Sequence, residues 1–173
     1  MKTQLLFDLE STGLLRRGST LHCMVMRDAL DSSTHIFDHQ PDRSIIQGVK
    51  KLEGADLLIG HNIIGFDIPL LKEQFPNFHP KGQVMDTLVL SRLFYPHIED
   101  RDYERRPHGM PQRMYGRHSL EAWGHRLHEY KGEFGKTTDW SDWSPEMEAY
   151  CCQDVKVTTK VCDHFHPYLT GSR

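Results

Sequence analysis

Two acidic residues end the first apolar run of the chain. Asp8 and Glu10 lie one residue apart in the segment LLFDLE. On an extended strand, residues two apart project from the same face, so both carboxylates point one way and Leu9 points the other. Neighbouring carboxylates repel each other unless a shared proton or a cation intervenes, and Mg²⁺ and Mn²⁺ prefer oxygen ligands. The pair indicates a divalent-metal site; a solvated strand end is the alternative.

Two later segments carry further acids. Asp67 ends HNIIGFD and enters an apolar segment, where it could face the same metal site or cap a helix. Tyr150 and Asp154, in YCCQD, are four residues apart and lie one turn apart on the same face of a helix. A phenol has a pKa of about 10 and can hold a water molecule without ionising. An exposed Asp154 beside a half-buried Tyr150 is the alternative.

The order and spacing of these residues resemble the three motifs of the DnaQ-like (ribonuclease H-like) 3′–5′ exonuclease superfamily. The chain has D-x-E at 8–10, N-x4-D at 62–67 and Y-x3-D at 150–154. The tyrosine is typical of the DEDDy branch; the histidine-bearing branch would have a histidine where Ala149 stands. The segments at 86–94, 118–134 and 147–161 resemble the proofreading domain of family A DNA polymerases from short-tailed bacteriophages, and this resemblance covers residues 1–168.

The resemblance implies a fold and an activity. The fold would be a three-layer α/β, ribonuclease H-like one, with a mixed central sheet flanked by helices. The activity would be a metal-dependent 3′–5′ DNA exonuclease that releases 5′-mononucleotides with two divalent ions, Mg²⁺ or Mn²⁺. Asp8 would bridge both ions, and Tyr150 with Glu10 would orient the attacking water. The implied catalytic residues are Asp8, Glu10, Asp67, Tyr150 and Asp154, whose four carboxylates would be the metal ligands.

The resemblance also implies contacts with substrate. Leu14 occupies the family position that wedges between the last two bases, and Asn62 the position that touches the terminal nucleotide. His61 is expected beside the site and is a candidate for substrate contact. Asp86 is expected there too, with capping of a helix as the alternative.

A basic stretch at 101–117 is a second candidate for binding a strand. It contains five arginines against Asp102 and Glu104, interleaved with Tyr103 and Tyr115. Phosphate contacts and stacking on these side chains could guide a single strand, with Arg113 and Arg117 as the candidate substrate contacts. An ordinary solvated loop is the alternative.

Hydrophobic periodicity predicts the elements that position these residues. Strands are predicted at 3–9, 20–27, 33–38 and 55–60. Helices are predicted at 42–53, capped by Asp42, from about 68, at 86–95, at 119–128 and at 144–165, and a long loop at 97–117. This order predicts one exonuclease domain over residues 1–173, in which an antiparallel meander is extended by parallel strands.

Composition excludes several classes of protein. The chain has 173 residues and a net charge of −3, so it is not a strongly basic nucleic-acid binder, and a polyanion would need metal ions or a local basic patch. The four cysteines show no repeated C-x-x-C spacing, which argues against a zinc ribbon. No apolar run approaches the roughly 18–20 residues that span a bilayer. A cytoplasmic protein is expected, in a bacterial host if phage-encoded.

Two other functions remain open from the sequence. One is a 3′–5′ exoribonuclease of the ribonuclease D kind, because nothing in such a metal site excludes a 2′-hydroxyl. The other is a catalytically silent module that binds nucleic acid or docks on a polymerase, which would have lost at least one metal ligand. The expected partners are single-stranded DNA or a frayed 3′ end, and a DNA polymerase in cis or in trans.

Overall fold

A five-stranded mixed sheet forms the centre of the structure, a computed structural model that describes residues 2–13, 18–132 and 139–172. Its spatial order is β3-β2-β1-β4-β5. The strands are β1 (Gln4–Ser11), β2 (Leu21–Asp28), β3 (Thr34–Phe37), β4 (Leu57–Gly60) and β5 (Gln83–Asp86).

The sheet joins an antiparallel meander to two parallel strands. β1 pairs antiparallel with β2, which pairs antiparallel with β3, whereas β4 runs parallel to β1 and β5 parallel to β4. The parallel strands β1, β4 and β5 therefore end at one edge of the sheet, where α/β proteins commonly bind ligands. The predicted mixed sheet is confirmed. β5 was not predicted, because this short edge strand (QVMD) is mostly exposed and lacks an apolar run.

Helices cover both faces of the sheet. They are α1 (Ile45–Gly54), α2 (Asp67–Gln74), α3 (Thr87–Phe94), α4 (Ile98–Arg105), α5 (Leu120–Leu127) and α6 (Pro145–Thr170), with 3₁₀ turns at Pro41–Arg43 and Gln112–Met114. One core lies between the sheet and α1 and α2, and includes Phe7, Met24, Leu52 and Leu70. On the opposite face, α6 packs on β1 and β2, and α3 to α5 pack on α6. The predicted three-layer α/β fold is confirmed.

The alternation of β1 decides which way its acids point. Leu5, Phe7 and Leu9 lie in the core on the α1 and α2 side. Because side chains alternate along a strand, Asp8 and Glu10 project toward α6. The long helix α6 begins at Pro145, after Ser144, whose hydroxyl accepts the Met147 N–H at 3.2 Å. This start sets the positions at which Tyr150 and Asp154 follow.

The predicted loop at 97–117 is wrong, because it contains α4 and a 3₁₀ turn. One face of α4 buries Ile98 and Asp102, and Asp102 accepts bonds from Arg126 of α5 at 2.9 and 2.7 Å. An acid at an inward position removes the apolar periodicity by which a helix is recognised in sequence. The arginine supplied by α5, together with the Gly116 N–H that donates to Asp102 Oδ2 at 2.9 Å, makes this burial tolerable.

The predicted N-cap of α1 is also wrong. Asp42 lies in the 3₁₀ turn that precedes the helix, and Ser44 occupies the N-cap position without a side-chain capping bond. The predicted helix at 119–128 is present as α5, although it contains Gly124. A Cβ on Gly124 would lie 2.6 Å from the Glu129 carbonyl oxygen, so the chain returns too closely for a side chain there. Among the described residues, no helix is long and apolar enough to cross a membrane.

Candidate active site

The first and last motifs meet where β1 packs on α6. The Cys151 thiol of α6 donates to the Asp8 carbonyl oxygen at 3.4 Å and to Asp8 Oδ2 at 3.6 Å. One ligand atom each from Asp8, Glu10 and Cys151 lies within 4.8 Å of the other two. Burial raises the pKa of the Cys151 thiol, so this group stays protonated and acts as a donor to Asp8.

Asp67 joins this cluster from the start of α2. It is the first residue of the helix and is buried, whereas Phe66 occupies the N-cap position. The capping alternative for Asp67 is therefore wrong. Burial raises the pKa of Asp67 to about 7, although backbone hydrogen bonds, one of them from Leu9, oppose the shift. Burial, and then repulsion from Asp67, raises the pKa of Asp8 to about 7, as expected for two carboxylates that lie near each other.

Asp154 is the fourth carboxylate, and a lysine lies against it. Lys131 Nζ is 2.6 Å from Asp154 Oδ2, and the Asp154 side chain is 4% exposed. The other oxygen, Oδ1, is buried and has no hydrogen-bond partner among the described residues. A buried, unpartnered carboxylate oxygen costs free energy unless a donor or a cation meets it.

The four carboxyl groups crowd one another in a poorly solvated site. Burial is the largest cause that raises the pKa of each: Asp8 to about 7, Glu10 to about 10, Asp67 to about 7 and Asp154 to about 8. Mutual repulsion adds to the shift in every case. The site therefore contains more carboxylates than can ionise together near neutral pH without a cation. This all-oxygen set of carboxylates fits divalent metal ions such as Mg²⁺ or Mn²⁺.

Tyr150 lies one turn before Asp154 on α6. Lys131 Nζ is 4.9 Å from the centroid of its ring, and the Trp140 ring packs edge-on at 6.0 Å. Burial, and then the charge of Asp154, raises the pKa of Tyr150 to about 12. The phenol is therefore neutral at physiological pH and can donate or accept a hydrogen bond.

Asp86 organises the loop between β4 and α2. Its carboxylate accepts the backbone N–H groups of Asn62 at 2.9 Å and Ile64 at 3.0 Å, and it caps α3 by accepting the Leu88 N–H at 2.9 Å. Asp86 therefore both caps a helix and supports the loop beside the site, which are the two roles considered for it. A Cβ on Gly65 would lie 2.6 Å from Asn62 Oδ1, so a side chain there would displace the Asn62 carboxamide.

His61 is held neutral in the same loop. The Thr87 hydroxyl donates to the Gly60 carbonyl at 3.1 Å and therefore accepts from His61 Nδ1 at 2.8 Å. Burial lowers the pKa of His61 to about 4. The ring thus has its proton on Nδ1 and leaves Nε2 as an acceptor.

An open cleft of about 560 Å³ is lined by five of the ten candidate site residues, whereas Glu10, Asp67 and Tyr150 lie outside its lining. Its lining includes Asp8, His61, Asn62, Arg117, Lys131 and Asp154. The cleft does not include Arg113, although the Arg113 carbonyl accepts the Arg117 Nε–H at 3.0 Å. Leu14, the expected wedge, lies outside the described residues.

Comparison with known proteins gives two related polymerases. The chain is 30% identical to the DNA-directed DNA polymerase of Enterobacteria phage T3 over 89% of its length, and 32% identical to that of Escherichia phage T7 over 87%. It spans about a quarter of the length of these polymerases, 25% in each case. No protein-family model matches the chain.

Solved structures with the same fold are nucleases. Magnesium-bound NrnC of Brucella melitensis has a TM-score of 0.66 and 18% identity, over 99% of this chain and 75% of that one. The Nibbler EXO domain of Aedes aegypti has a TM-score of 0.65 and 13% identity, over 99% and 81%. The zinc-bound complex of E. coli ExoI with single-stranded DNA has a TM-score of 0.58 and 14% identity, over 99% and 42%. The chain therefore shares its fold with these nucleases and has sequence similarity to part of the two phage polymerases.

Two residues of this site could not be found from the motifs. Lys131 lies in a polar connection, where a lysine is usually solvated, and only the packing of that connection against α6 brings it to Asp154. Cys151 stands in a vicinal cysteine pair that is typical of helix packing, yet its thiol contacts Asp8. The sequence shows that Cys151 follows Tyr150 on the same helix, but the partner of its thiol depends on how β1 faces α6.

Proposed function

We propose that this chain is a metal-dependent 3′–5′ DNA exonuclease that removes 5′-mononucleotides from a 3′ end. The observation that carries the proposal is the convergence of four carboxylates, from β1, α2 and α6, beside a neutral tyrosine; Glu10, Asp67 and Asp154 are buried and Asp8 is half-buried. We also propose that residues 1–173 form one exonuclease domain, because the described elements pack around a single sheet.

The carboxylates of Asp8, Glu10, Asp67 and Asp154 would hold two divalent ions, Mg²⁺ or Mn²⁺. The raised pKa values of the four groups and the unpartnered Asp154 Oδ1 support this role, since both features are relieved by cations. When bound, such ions offset the negative charge that develops on the reacting phosphate and on its departing 3′ oxygen.

The reactants would be positioned by Tyr150, by Glu10 and by side chains that line the cleft. The neutral Tyr150 phenol holds the attacking water by a hydrogen bond, and Glu10 lies close enough to affect the pKa of that phenol. Asn62 and His61, on the loop fixed by Asp86, would contact the terminal nucleotide. Arg117 would contact a backbone phosphate at the rim of the cleft. Leu14 and Arg113 stay predictions as further substrate contacts.

DNA is the proposed substrate because both relatives are DNA-directed DNA polymerases. ExoI, which shares the fold, was solved with single-stranded DNA, and we propose single-stranded DNA or a frayed 3′ end as the ligand here. A DNA polymerase, in cis or in trans, is the proposed protein partner. A silent docking module is disfavoured, because all four carboxylates and Tyr150 are present.

The test is a time course on 5′-labelled DNA and RNA oligonucleotides of one sequence, with Mg²⁺, with Mn²⁺ and with EDTA. We expect DNA to shorten from its 3′ end, and EDTA or Asp8→Asn to abolish the reaction. Asp42→Asn is the matched control, because Asp42 is an exposed acid on the 3₁₀ turn before α1. Equal or faster trimming of RNA would favour a ribonuclease. Binding without cleavage under either ion would favour the docking module.

A further inference from the structure

A second cavity lies at the other end of α5 from the carboxylate cleft. It has a volume of about 440 Å³ and lies between α4, α5 and α6. The carboxylate cleft reaches Ser119 and Leu120 at the start of α5, whereas this cavity reaches Trp123, Arg126 and Leu127. The two share no lining residue. We call it the arginine cavity, after Arg101, Arg105, Arg106 and Arg126 in its wall.

The positive charge of the arginine cavity is not balanced locally. Asp102 is the carboxylate in its lining, and Arg126 already binds it through Nε at 2.9 Å and Nη2 at 2.7 Å. Within the described ranges, the other three arginines form no ion pair. Three guanidinium groups therefore gather around one concave surface of a chain whose net charge is −3. Such a concave cationic surface attracts anions.

Arg126 adds a buried donor to this surface. Its side chain is only 9% exposed, and its Nη1 is buried with no hydrogen-bond partner among the described residues. A buried guanidinium N–H without an acceptor is costly, and an anionic oxygen would remove that cost.

Aromatic rings stand beside the charges. The Arg101 guanidinium lies 4.7 Å from the centroid of the Tyr95 ring, and that of Arg126 lies 5.1 Å from the Trp123 ring. The two rings pack edge to face at 5.3 Å, and both line the cavity. A small inorganic anion would use only the guanidinium groups. Both rings are almost fully buried, with Tyr95 5% and Trp123 2% exposed, so they give the cavity an apolar floor rather than a free stacking face. A ligand that combines a phosphate with a flat ring would contact both the guanidinium groups and this floor.

We propose that the arginine cavity binds the phosphate of a nucleotide, either free or within a single strand. Its volume suits a small ligand with one ring system, and its chemistry matches a phosphate joined to a base. This site is separate from the four carboxylates and needs no metal ion. It therefore goes beyond the proposed exonuclease function and can be tested apart from it.

The test is calorimetric titration of the whole chain in EDTA, which removes metal-dependent binding from the carboxylate cleft. One arm uses deoxyadenosine 5′-monophosphate, and a second uses a short single-stranded oligonucleotide. Deoxyadenosine and inorganic phosphate are the ligand controls. Binding of the mononucleotide identifies a free nucleotide as the ligand, and binding of the oligonucleotide alone identifies a strand; either result supports the proposal.

The variant Arg101→Gln/Arg105→Gln removes two exposed charges from the cavity without touching the buried Arg126–Asp102 pair. We expect the dissociation constant of the bound ligand to rise by about tenfold or more. Lys50→Gln/Lys72→Gln, which removes two exposed charges elsewhere, should leave it unchanged. The proposal is overturned if neither the mononucleotide nor the oligonucleotide binds, or if the Arg101→Gln/Arg105→Gln variant binds as tightly as the parent chain. It is also overturned if deoxyadenosine or inorganic phosphate binds as tightly as the nucleotide ligand. If the chain has no exonuclease activity but still binds the ligand through these arginines, the proposed exonuclease function is wrong and the proposal for the arginine cavity is still supported.

Discussion

Lys131 Nζ lies 2.6 Å from Asp154 Oδ2, so the last carboxylate of the site is paired with a protein cation. The same ammonium group lies over the Tyr150 ring. Attraction to Asp154, Tyr150 and Asp8 raises the pKa of Lys131 despite its burial, so the lysine stays charged. It thereby lowers the pKa of Asp154, which burial alone would raise further. Lys131 thus moves the ionisation of Asp154 to lower pH, although the pKa of that carboxyl stays above its ordinary value.

A first prediction concerns Lys131→Met. Because the ammonium group competes with a metal ion for Asp154, its removal should tighten Mn²⁺ binding by about threefold to tenfold. In EDTA the variant should lose about 1–3 kcal/mol of unfolding free energy, since a buried acceptor is left without its donor. Calorimetric titration and urea unfolding measure both effects. Lys156→Met, on the exposed face of α6, is the matched control. An unchanged affinity for Mn²⁺ would contradict the competition.

A second prediction concerns pH. The folded-state pKa values of Asp8 and Asp67 are both about 7, above the ordinary 3.8, so the folded chain binds more protons than the unfolded chain between these limits. Stability in EDTA should therefore be greatest below about pH 4 for these groups and fall as pH rises to about 7, by about 1.4 kcal/mol per pH unit for each group.

Divalent ions should reverse this loss, because they favour the ionised carboxylates. Urea unfolding at several pH values, with EDTA and with Mg²⁺, tests the prediction. Asp67→Asn should flatten the pH dependence in EDTA, whereas Asp139→Asn, at an exposed acid, should not. If stability in EDTA rises with pH over this interval, the carboxylates do not share a poorly solvated site.

A third prediction concerns Tyr150→Phe. Loss of the hydroxyl removes the hydrogen bond proposed for the attacking water, and kcat should fall by about 10²-fold or more. Metal affinity and stability should change little, because the ring packing is kept. Single-turnover exonuclease assays and Mn²⁺ titration of the same variant separate these effects. A parallel loss of metal affinity would show that the phenol acts on the metal site instead.

A fourth prediction concerns the buried pair between α4 and α5. Arg126→Met should leave Asp102 unpaired and destabilise the chain by about 3–5 kcal/mol. The double variant Arg126→Met/Asp102→Leu should recover most of this stability, because no buried charge then remains. Urea unfolding of both variants and of Asp102→Leu alone completes the cycle. Equal stability of Arg126→Met and the parent chain would show that the pair is solvated.

The strands and helices that carry the motifs were predictable for a local reason. β1 and α6 show strong apolar patterns, and Ser144 with Pro145 marks the start of α6. By contrast, β5 was not predicted because few of its residues face inward, and α4 was not predicted because an acid, Asp102, occupies one of its buried positions. Local patterns report what a segment buries only when the buried residues are apolar.

Local patterns in the sequence were enough to place Asp8 and Glu10 on one face and Tyr150 and Asp154 on another. The order of the motifs likewise resembles the DnaQ-like superfamily. These features depend on the periods of strand and helix, which are local. The contacts of Lys131 with Asp154 and of Cys151 with Asp8, and the place of Arg126 in the wall of a second cavity, emerge only in the folded chain. Such contacts join residues distant in the chain, and they follow from how whole layers pack rather than from any spacing along one segment.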